Sequence, residues 1–477
     1  MPLPTPQGRQ KEVLYLPSQG HFVVLGTAGS GKTTLAILRA AYLSNPRTEH
    51  RGKTLLVTFN RTLVTYLQSL QKREKKLNNV VIENYHRFAR GYLASRRKIS
   101  RNSILDNTQK LKLIEQALQK IKNHFADHPL VDKPVSFFED EFRWMSQQGI
   151  LTLENYQRIE SDQFLGTRIL PQYRDFLFLA YQQYQELLSD SNYQYDWDNI
   201  ATTVCQELEE DTSTRRYKHI IIDEGQDFSP EMIRSLSLAI PADGSLTFFG
   251  DIAQQIYGHR ISWRSAGLNV SDSEIWEFEE NYRNSKQIAQ LSLAIAQMSY
   301  FRGVPDLVEP QSPSADGPLP TIVKCNSRID EISLVVQQAI QIIKQSETVA
   351  ILCRDRKDEK QIKQAITSRR YLPESVQLHK KMQRLELNSP KIYYGTYHSA
   401  KGLEFDLVIL PFCNKQRLPD PQIVETFGET EAMSRDGRLL YVGVTRAKSR
   451  LLITYHQELT ELLPLNPNLY RILQHSQ

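Results

Sequence analysis

The sequence predicts an α/β protein with parallel sheets and a helical stretch inserted in its first part. Three observations predict it. Short apolar, β-branched runs alternate with segments of helical period in both halves of the chain, the pattern of strand–helix–strand units. One strand-to-helix joint carries the glycine loop Gly26-Thr27-Ala28-Gly29-Ser30-Gly31-Lys32-Thr33. A second apolar strand, His219-Ile220-Ile221-Ile222, delivers two adjacent carboxylates, Asp223 and Glu224, at its end. A chain of 477 residues is longer than one hydrophobic core serves, so more than one domain is expected.

Composition bounds the function. Hydrophobic residues make up 40% and charged residues 24%, which fits a folded globular chain and excludes a low-complexity one. Lys+Arg number 59 against Asp+Glu 54, a net charge of +5 that is compatible with a polyanionic partner without demanding one. Cys205, Cys325, Cys353 and Cys413 are scattered, with no Cys-x-x-Cys pair, so neither a zinc site nor a disulfide framework is predicted. The opening Met1-Pro2-Leu3-Pro4-Thr5-Pro6 lacks a basic-then-apolar leader. No apolar run approaches the roughly 20 residues that span a bilayer. The expectation is a cytoplasmic protein with no membrane contact.

Taken in order, Gln7 to Lys11 opens a short amphipathic helix. Phe22-Val23-Val24-Leu25 reads as the first strand and Thr34 to Ala41 as the helix after the glycine loop. Lys53 to Asn60 and Val80 to Ile82 read as the next two strands. In parallel sheets the loops beyond the strand C-termini form the ligand crevice, so Phe59, Asn60, Tyr85 and His86 are expected on one edge. From about residue 96 to 200 strand patterns vanish, and Ile104 to Ile121 and Gln172 to Leu188 have helical period. The basic run Arg96-Arg97-Lys98 with Arg101 reads equally as a nucleic-acid contact or a solvated helix face. Leu246 to Phe249 is a further strand, ending in Gly250-Asp251. Beyond a proline-rich stretch at 303–320, Thr321–Cys325, Thr348–Leu352, Ile392–Tyr394, Leu407–Leu410 and Leu451–Ile453 read as strands, with helices over Glu331–Lys344 and Glu359–Thr367.

The glycine loop fits G-x-x-x-x-G-K-[ST]. Strand, loop and helix in that order aim backbone N–H groups and a helix N-terminus at a polyphosphate. Lys32 is then placed to neutralise the β- and γ-phosphates, and the Thr33 hydroxyl to hold Mg²⁺. In such a fold Asp223 binds the metal and Glu224 takes a proton from the attacking water. Gln254, past the Gly250-Asp251 strand end, is placed to reach a γ-phosphate or its water. Gln10 can read an adenine edge with its amide, although a solvated helix start explains it as well.

The ordered pieces GTAGSGKTT (26–34), LLVTFN (55–60), IIIDEGQD (220–227), GDIAQQIYGHR (250–260), EENYRNSKQI (279–288), GTYHSAKGLEFD (395–406) and LLYVGVTRAK (439–448) resemble the superfamily 1 helicases of the UvrD/Rep/PcrA group, over nearly the whole chain. The resemblance implies two RecA-like P-loop motor domains with ATP and Mg²⁺ between them. By it, residues 1–95 and 201–280 form the first motor domain, 96–200 a helical insertion, and 281–477 the second motor domain. Gln10 resembles the adenine-reading glutamine and Tyr282 the aromatic that stacks on adenine. Gln254 resembles the γ-phosphate sensor, Arg283 and Arg446 the two arginines that grip the γ-phosphate, and Glu404 the ribose contact. Thr58, Phe59, Asn60, Tyr85, His86, Tyr257, Arg260, Trp263, Thr396 and His398 are expected to track a single strand through charge and stacking. The chain departs from the family at Thr34, where an arginine is usual, and at His259, where a stacking tryptophan is usual.

About 110 residues separate Arg283 from Thr396, too few for the large helical domain that relatives insert there. The expectation is a compact ATP-dependent single-stranded DNA translocase or helicase moving 3′ to 5′, with tailed duplex and RNA as further candidate substrates. Unwinding is expected to draw on self-association or on a protein partner that supplies regulation or a nuclease. The alternative is an ATP-switched nucleic-acid-binding sensor or scaffold subunit of a DNA-repair or phage-defence complex. A metabolite kinase leaves Arg446 and the Thr396/His398 loop without a role.

Overall fold

The computed structural model describes residues 5–475 apart from 7, 28, 101–102, 123–124, 160–168, 252–262, 279–283, 302–314, 344–346, 369–373, 380–384, 386 and 388–390. Among the described residues thirteen strands form two sheets, and every strand pairing within them is parallel. The first sheet holds β1 (Gly20–Gly26), β2 (Thr54–Thr58), β3 (Val80–Asn84), β4 (His219–Asp223), β5 (Ser245–Gly250) and β6 (Ile275–Phe278), in the order β3-β2-β4-β5-β1-β6. The second holds β7 (Thr321–Cys325), β8 (Val349–Cys353), β9 (Ser375–Gln377), β10 (Ile392–Thr396), β11 (Phe405–Leu410), β12 (Ala447–His456) and β13 (Arg471–Gln474), in the order β13-β7-β12-β11-β8-β10-β9.

The inner strands are continuous apolar runs because both faces of each sheet are covered. In the first lobe Val23, Leu25, Leu55, Val57, Ile220 and Ile222 pack on one face, and Phe22, Val24, Leu56, Ile82 and Ile221 on the other. In the second lobe Ala350, Leu352, Val408, Leu410 and Ile453 face one core, while Val349, Ile351, Cys353, Ile409 and Leu452 face another. Because the strands are parallel, their C-terminal ends share one edge. In the first sheet the register pairs Thr58 with both Asn84 and Asp223, and Leu25 with Gly250. Asn60 and Asn84 turn that edge into helices by capping Arg61–Gln71 and Tyr85–Ser95 with their side-chain oxygens.

Three strands were not foreseen. β9 is only three residues long, β13 is exposed throughout, and β6 is a short edge strand carrying Glu277, so none shows an apolar run. Between β3 and β4 lie the helices Asn107–Lys122, Val135–Gln147, Leu153–Gln157 and Arg174–Ser189, which share a core of their own around Phe138, Phe142, Leu177 and Tyr184. The second and third of these were not predicted. Helix Ile200–Glu210 packs instead into the first lobe through Ile200, Val204 and Leu208. Two members of the basic run are held by acids: Arg96 lies 3.4 Å from Asp211, and Lys98 2.8 Å from Glu207. That favours the structural reading for both; Arg101 lies outside the described residues. The described residues between β6 and β10 carry helices and strands of the second lobe only. No described helix is long and apolar enough to cross a membrane.

Candidate nucleotide site and nucleic-acid interface

The phosphate loop leaves β1 at Gly26. A Cβ there would sit 2.7 Å from Ser30 Oγ and 3.0 Å from the Phe278 carbonyl, so the loop closes against β6 only with glycine. Gly31 has φ 84° and caps helix Lys32–Leu43. The Lys32 ammonium donates to the Gly26 carbonyl at 2.8 Å and the Thr27 carbonyl at 2.5 Å, and lies 3.9 Å from Asp251 Oδ2. Gln10 Nε2 donates to the Ser30 carbonyl at 3.3 Å, which holds the first helix against the loop. Ser30 and Thr27 are buried, and Thr34 lies half-buried in the first turn of the helix. Ala28 is outside the described residues.

Across the edge, Thr33 Oγ1 donates to Asp223 Oδ1 at 3.3 Å, while Asp223 Oδ2 is buried without a hydrogen-bond partner. Burial and then the Glu224 charge push the Asp223 carboxyl up to about 7. A buried orphan carboxylate oxygen beside a threonine hydroxyl fits a hard cation. Magnesium is commonly held this way, by one or two protein ligands plus phosphate oxygens and water. Among the described residues no cluster of three His, Cys, Asp or Glu offers an all-protein cage.

Glu224 takes φ 55°, a left-handed conformation that costs a non-glycine residue about 1–2 kcal/mol. Gln226 fixes it: its Nε2 donates to Glu224 Oε2 at 2.6 Å, and its Oε1 accepts from the Asp251 backbone N–H at 2.9 Å. Burial pushes the Glu224 carboxyl up, but Lys401, Arg446 and Lys32 outweigh it and hold the group below the usual carboxylate range. It is therefore ionised, as a general base must be.

Two of those three cations belong to the other lobe. β10 ends at one edge of the second sheet and β11 begins at the opposite edge, so Tyr397–Glu404 runs across the sheet between them. Tyr397, Ala400 and Leu403 anchor this segment in the second-lobe core. Its other side lies on the first lobe. Asn60 Nδ2 donates to the His398 and Lys401 carbonyls, each at 3.1 Å. Gly402 (φ 78°) sits where a Cβ would meet Leu63 at 2.7 Å. Glu404, half-buried, raises the Tyr66 phenol behind the larger effect of burial. Lys401 Nζ reaches Asp227 Oδ1 at 2.5 Å, with side chains 3% and 2% exposed. Burial pushes Asp227 up to about 6 even with Lys401 opposing it. Arg446 is fully buried at the end of helix Glu429–Val444, donating to the Val442 and Leu403 carbonyls and to Thr445 Oγ1.

Lys401, Asp227, Gln226 and Asp251 were not singled out from the sequence, although all four lie inside quoted motifs. The lone lysine among small and apolar residues in HSAKGLEF was the available signal. Its partner is 174 residues away and no periodicity connects them.

The expected strand-tracking residues divide. Phe59 and His86 are half-buried and adjacent, with ring centroids 5.5 Å apart, and His86 meets Trp197 at 5.0 Å. Thr396 ends β10 and His398 follows it, both half-buried. Trp263 is half-buried against Phe248 at 5.0 Å. Asn60 spends its amide on the second lobe, as above. Two assignments are corrected. Thr58 is 0% exposed, locked between β3 and β4, and Tyr85 is 0% exposed with its hydroxyl 2.8 Å from Ser235 Oγ. Both are core residues, because the strand end lies one residue deeper than the polar motif suggests. Gln254, Tyr257, Arg260, Tyr282 and Arg283 lie outside the described residues.

Beside His86 and Trp197, a groove of about 640 Å³ is lined by Arg61, Arg87 and Arg90, three exposed cations the sequence reading did not select. Removing Arg87 and Arg90 together is expected to lower the slope of log affinity against log salt by about 1.4 for single strands. Binding titrations at several salt concentrations check this, and an unchanged slope places the strand elsewhere.

Two parallel-sheet lobes, a phosphate loop, an acid pair at one sheet edge and an arginine from the facing lobe define a two-lobed P-loop nucleotide hydrolase. Residues 7–273 match the UvrD/REP helicase N-terminal domain, and 276–376 with 370–458 match the UvrD-like helicase C-terminal domain. The chain belongs to the UvrD/Rep family of DNA helicases. It is similar to a probable DNA helicase of Mycoplasma pneumoniae, 23% identical over 90% of this chain and 80% of that one. A probable DNA helicase II homolog of Mycoplasma capricolum is 21% identical over 68% of this chain and 45% of its own. The ATP-dependent DNA helicase Rep of Buchnera aphidicola (strain Sg) is 24% identical over 59% of this chain. This chain covers 43% of that relative, so it spans less than half the length of the last two.

Proposed function

We propose that the protein hydrolyses ATP to move 3′ to 5′ along single-stranded DNA. One observation carries this reading: Lys32 and Glu224 of the first lobe face Lys401 and Arg446 of the second, so the charge balance at the base depends on both lobes together. In this reading 1–95 and 201–280 are the first motor, 96–200 the insertion and 281–477 the second motor.

In this reading the loop amides and Lys32 hold the β- and γ-phosphates. Glu224 accepts the proton of the attacking water, and Gln226 keeps its carboxylate aimed. Arg446, with Arg283, neutralises charge spreading over the γ-phosphoryl oxygens. Gln254 senses the γ-phosphate, Gln10 and Tyr282 hold the base, and Glu404 the ribose. Thr33 and Asp223 would hold Mg²⁺, which would supply neutralisation of the phosphate charge. Closing the seam assembles the site, and hydrolysis lets it relax. The Tyr397–Glu404 segment links that relaxation to the strand surface, since it carries His398 at one end and Lys401 in the middle.

Asn60→Asp tests the link. It keeps the helix-capping oxygen and loses the donor to His398 and Lys401. ATP hydrolysis without DNA is expected to persist while stimulation by DNA drops by about tenfold, the worth of one or two hydrogen bonds. Stimulation at the wild-type level would leave Asn60 as a cap only. The reading as a whole is tested by strand displacement on 3′- and 5′-tailed DNA and RNA. Displacement from 3′ tails of DNA is expected. Displacement from 5′ tails reverses the polarity, and DNA-stimulated hydrolysis with no displacement points to an ATP-switched sensor working with a partner.

A further inference from the structure

Among the described residues the two sheets end in four edge strands, β3, β6, β9 and β13. Short strands and charged side chains keep an edge from recruiting another chain. β3 and β6 each carry a glutamate, Glu83 and Glu277, and β9 is three residues long. β13 differs. Its sequence is Arg471-Ile472-Leu473-Gln474, and the central Ile472 and Leu473 are 56% and 46% exposed. It pairs with β7 on one side. Arg471 and His475 give their N–H groups to the Pro320 and Lys324 carbonyls, at 3.0 and 2.9 Å. A strand in a parallel ladder meets one neighbour through alternate residues. Ile472 and Gln474 therefore turn their N–H and C=O groups away from the sheet.

The side chains of this strand continue the two cores of the second lobe. The register sets Ile472 beside Ile322 on one face and Leu473 beside Val323 on the other. More apolar surface flanks the edge. Leu319 precedes β7, Ile329 follows it, and Leu465 stands in the loop that leads into β13, all exposed. An exposed apolar edge of this kind marks an interaction site. Charge selects the occupant. Arg471 and Lys324 are exposed on opposite faces of the edge. Arg471 Nε donates to Thr321 Oγ1 at 3.1 Å, and neither cation meets a carboxylate among the described residues. The nearby Asp330 is taken by His475 at 3.3 Å. A second copy of this chain would bring the same cations and no acid for them. An extended segment that alternates acids with apolar residues satisfies the outward backbone groups, the open cores and both cations together.

We infer that the outer edge of β13 is a docking site for an extended acidic segment of a partner protein, which adds to the second sheet as a further strand. β7 and β12 separate β13 from β11 and from the segment that meets the first lobe. A docked partner therefore leaves the nucleotide site open and travels with the second lobe.

The test uses the full chain and two short dye-labelled peptides, one alternating glutamate with valine, the other lysine with valine. Fluorescence anisotropy is expected to show the glutamate peptide binding about tenfold tighter than the lysine peptide. Ile472→Pro removes one outward N–H group and leaves the bonds to β7 in place. It is expected to weaken the glutamate peptide by about tenfold, with ATP hydrolysis unchanged. Arg471→Glu with Lys324→Glu keeps the backbone edge and is expected to reverse the order of the two peptides, which a loss of folding would not do. Equal binding of both peptides to the unmodified chain overturns the inference. Full affinity in Ile472→Pro overturns it too, since the peptide then binds elsewhere. A dimer in sedimentation that Ile472→Pro disperses also overturns it, because a second copy then occupies the edge.

Discussion

Replacing Arg446 by alanine is expected to slow single-strand-stimulated ATP hydrolysis by about 10³–10⁵-fold, the worth of an arginine finger in phosphoryl transfer. The charge of Arg446 reaches Glu224 and Asp227 across the seam, while its guanidinium donates to the Val442 and Leu403 carbonyls and to Thr445 Oγ1 of its own lobe. It is thus positioned by the second lobe and acts on the first. Alanine also removes a buried guanidinium that holds the Val442 and Leu403 carbonyls, so part of any loss is structural. Arg446→Lys separates the two effects. Lysine keeps the charge but loses the planar fork that spans phosphate oxygens. A folded lysine variant that binds nucleotide and hydrolyses it poorly supports the assignment. Hydrolysis by that variant within about tenfold of wild type would remove Arg446 from the chemistry.

Glu224→Gln is expected to lower the same rate by about 10²–10⁴-fold, the range for loss of a positioned general base, with nucleotide binding retained. The substitution is nearly isosteric, and the glutamine carbonyl still accepts from Gln226 Nε2. It also removes the charge that, after burial, raises Asp223, so the metal-binding side of the edge is not weakened. Single-turnover phosphate release alongside equilibrium nucleotide binding checks it. A rate close to wild type means that the water is deprotonated elsewhere.

The parts of this molecule that were legible in the sequence are those fixed locally. The glycine loop, the strand that ends in Asp223 and Glu224, and the inner strands of both sheets each carry their signal within ten residues. Parallel strands covered on both faces must be apolar runs, and such runs were found. β13 and β9 carry no such signal because nothing covers one and the other is three residues long. The seam was not legible for a different reason. Lys401 with Asp227, and Asn60 with the His398 and Lys401 carbonyls, join residues far apart in the chain, and each partner alone looks like an ordinary loop residue. Burial of Thr58 and Tyr85 was missed because the depth at which a strand ends is set by its neighbours: the register with Asp223 and Asn84 places Thr58 inside, and Phe228 and Ser235 enclose Tyr85.

The claim on which the account stands is that one hydrolytic event uses the base of the first lobe and the arginine of the second at the same moment. A double-mutant cycle on single-strand-stimulated ATP hydrolysis, with Glu224→Gln, Arg446→Lys and the pair, measures this directly. Groups that serve one transition state give losses that do not multiply. The pair is expected to be little slower than the slower single variant. Losses that multiply in full would show that the two residues act independently and that the seam is not where ATP is cleaved.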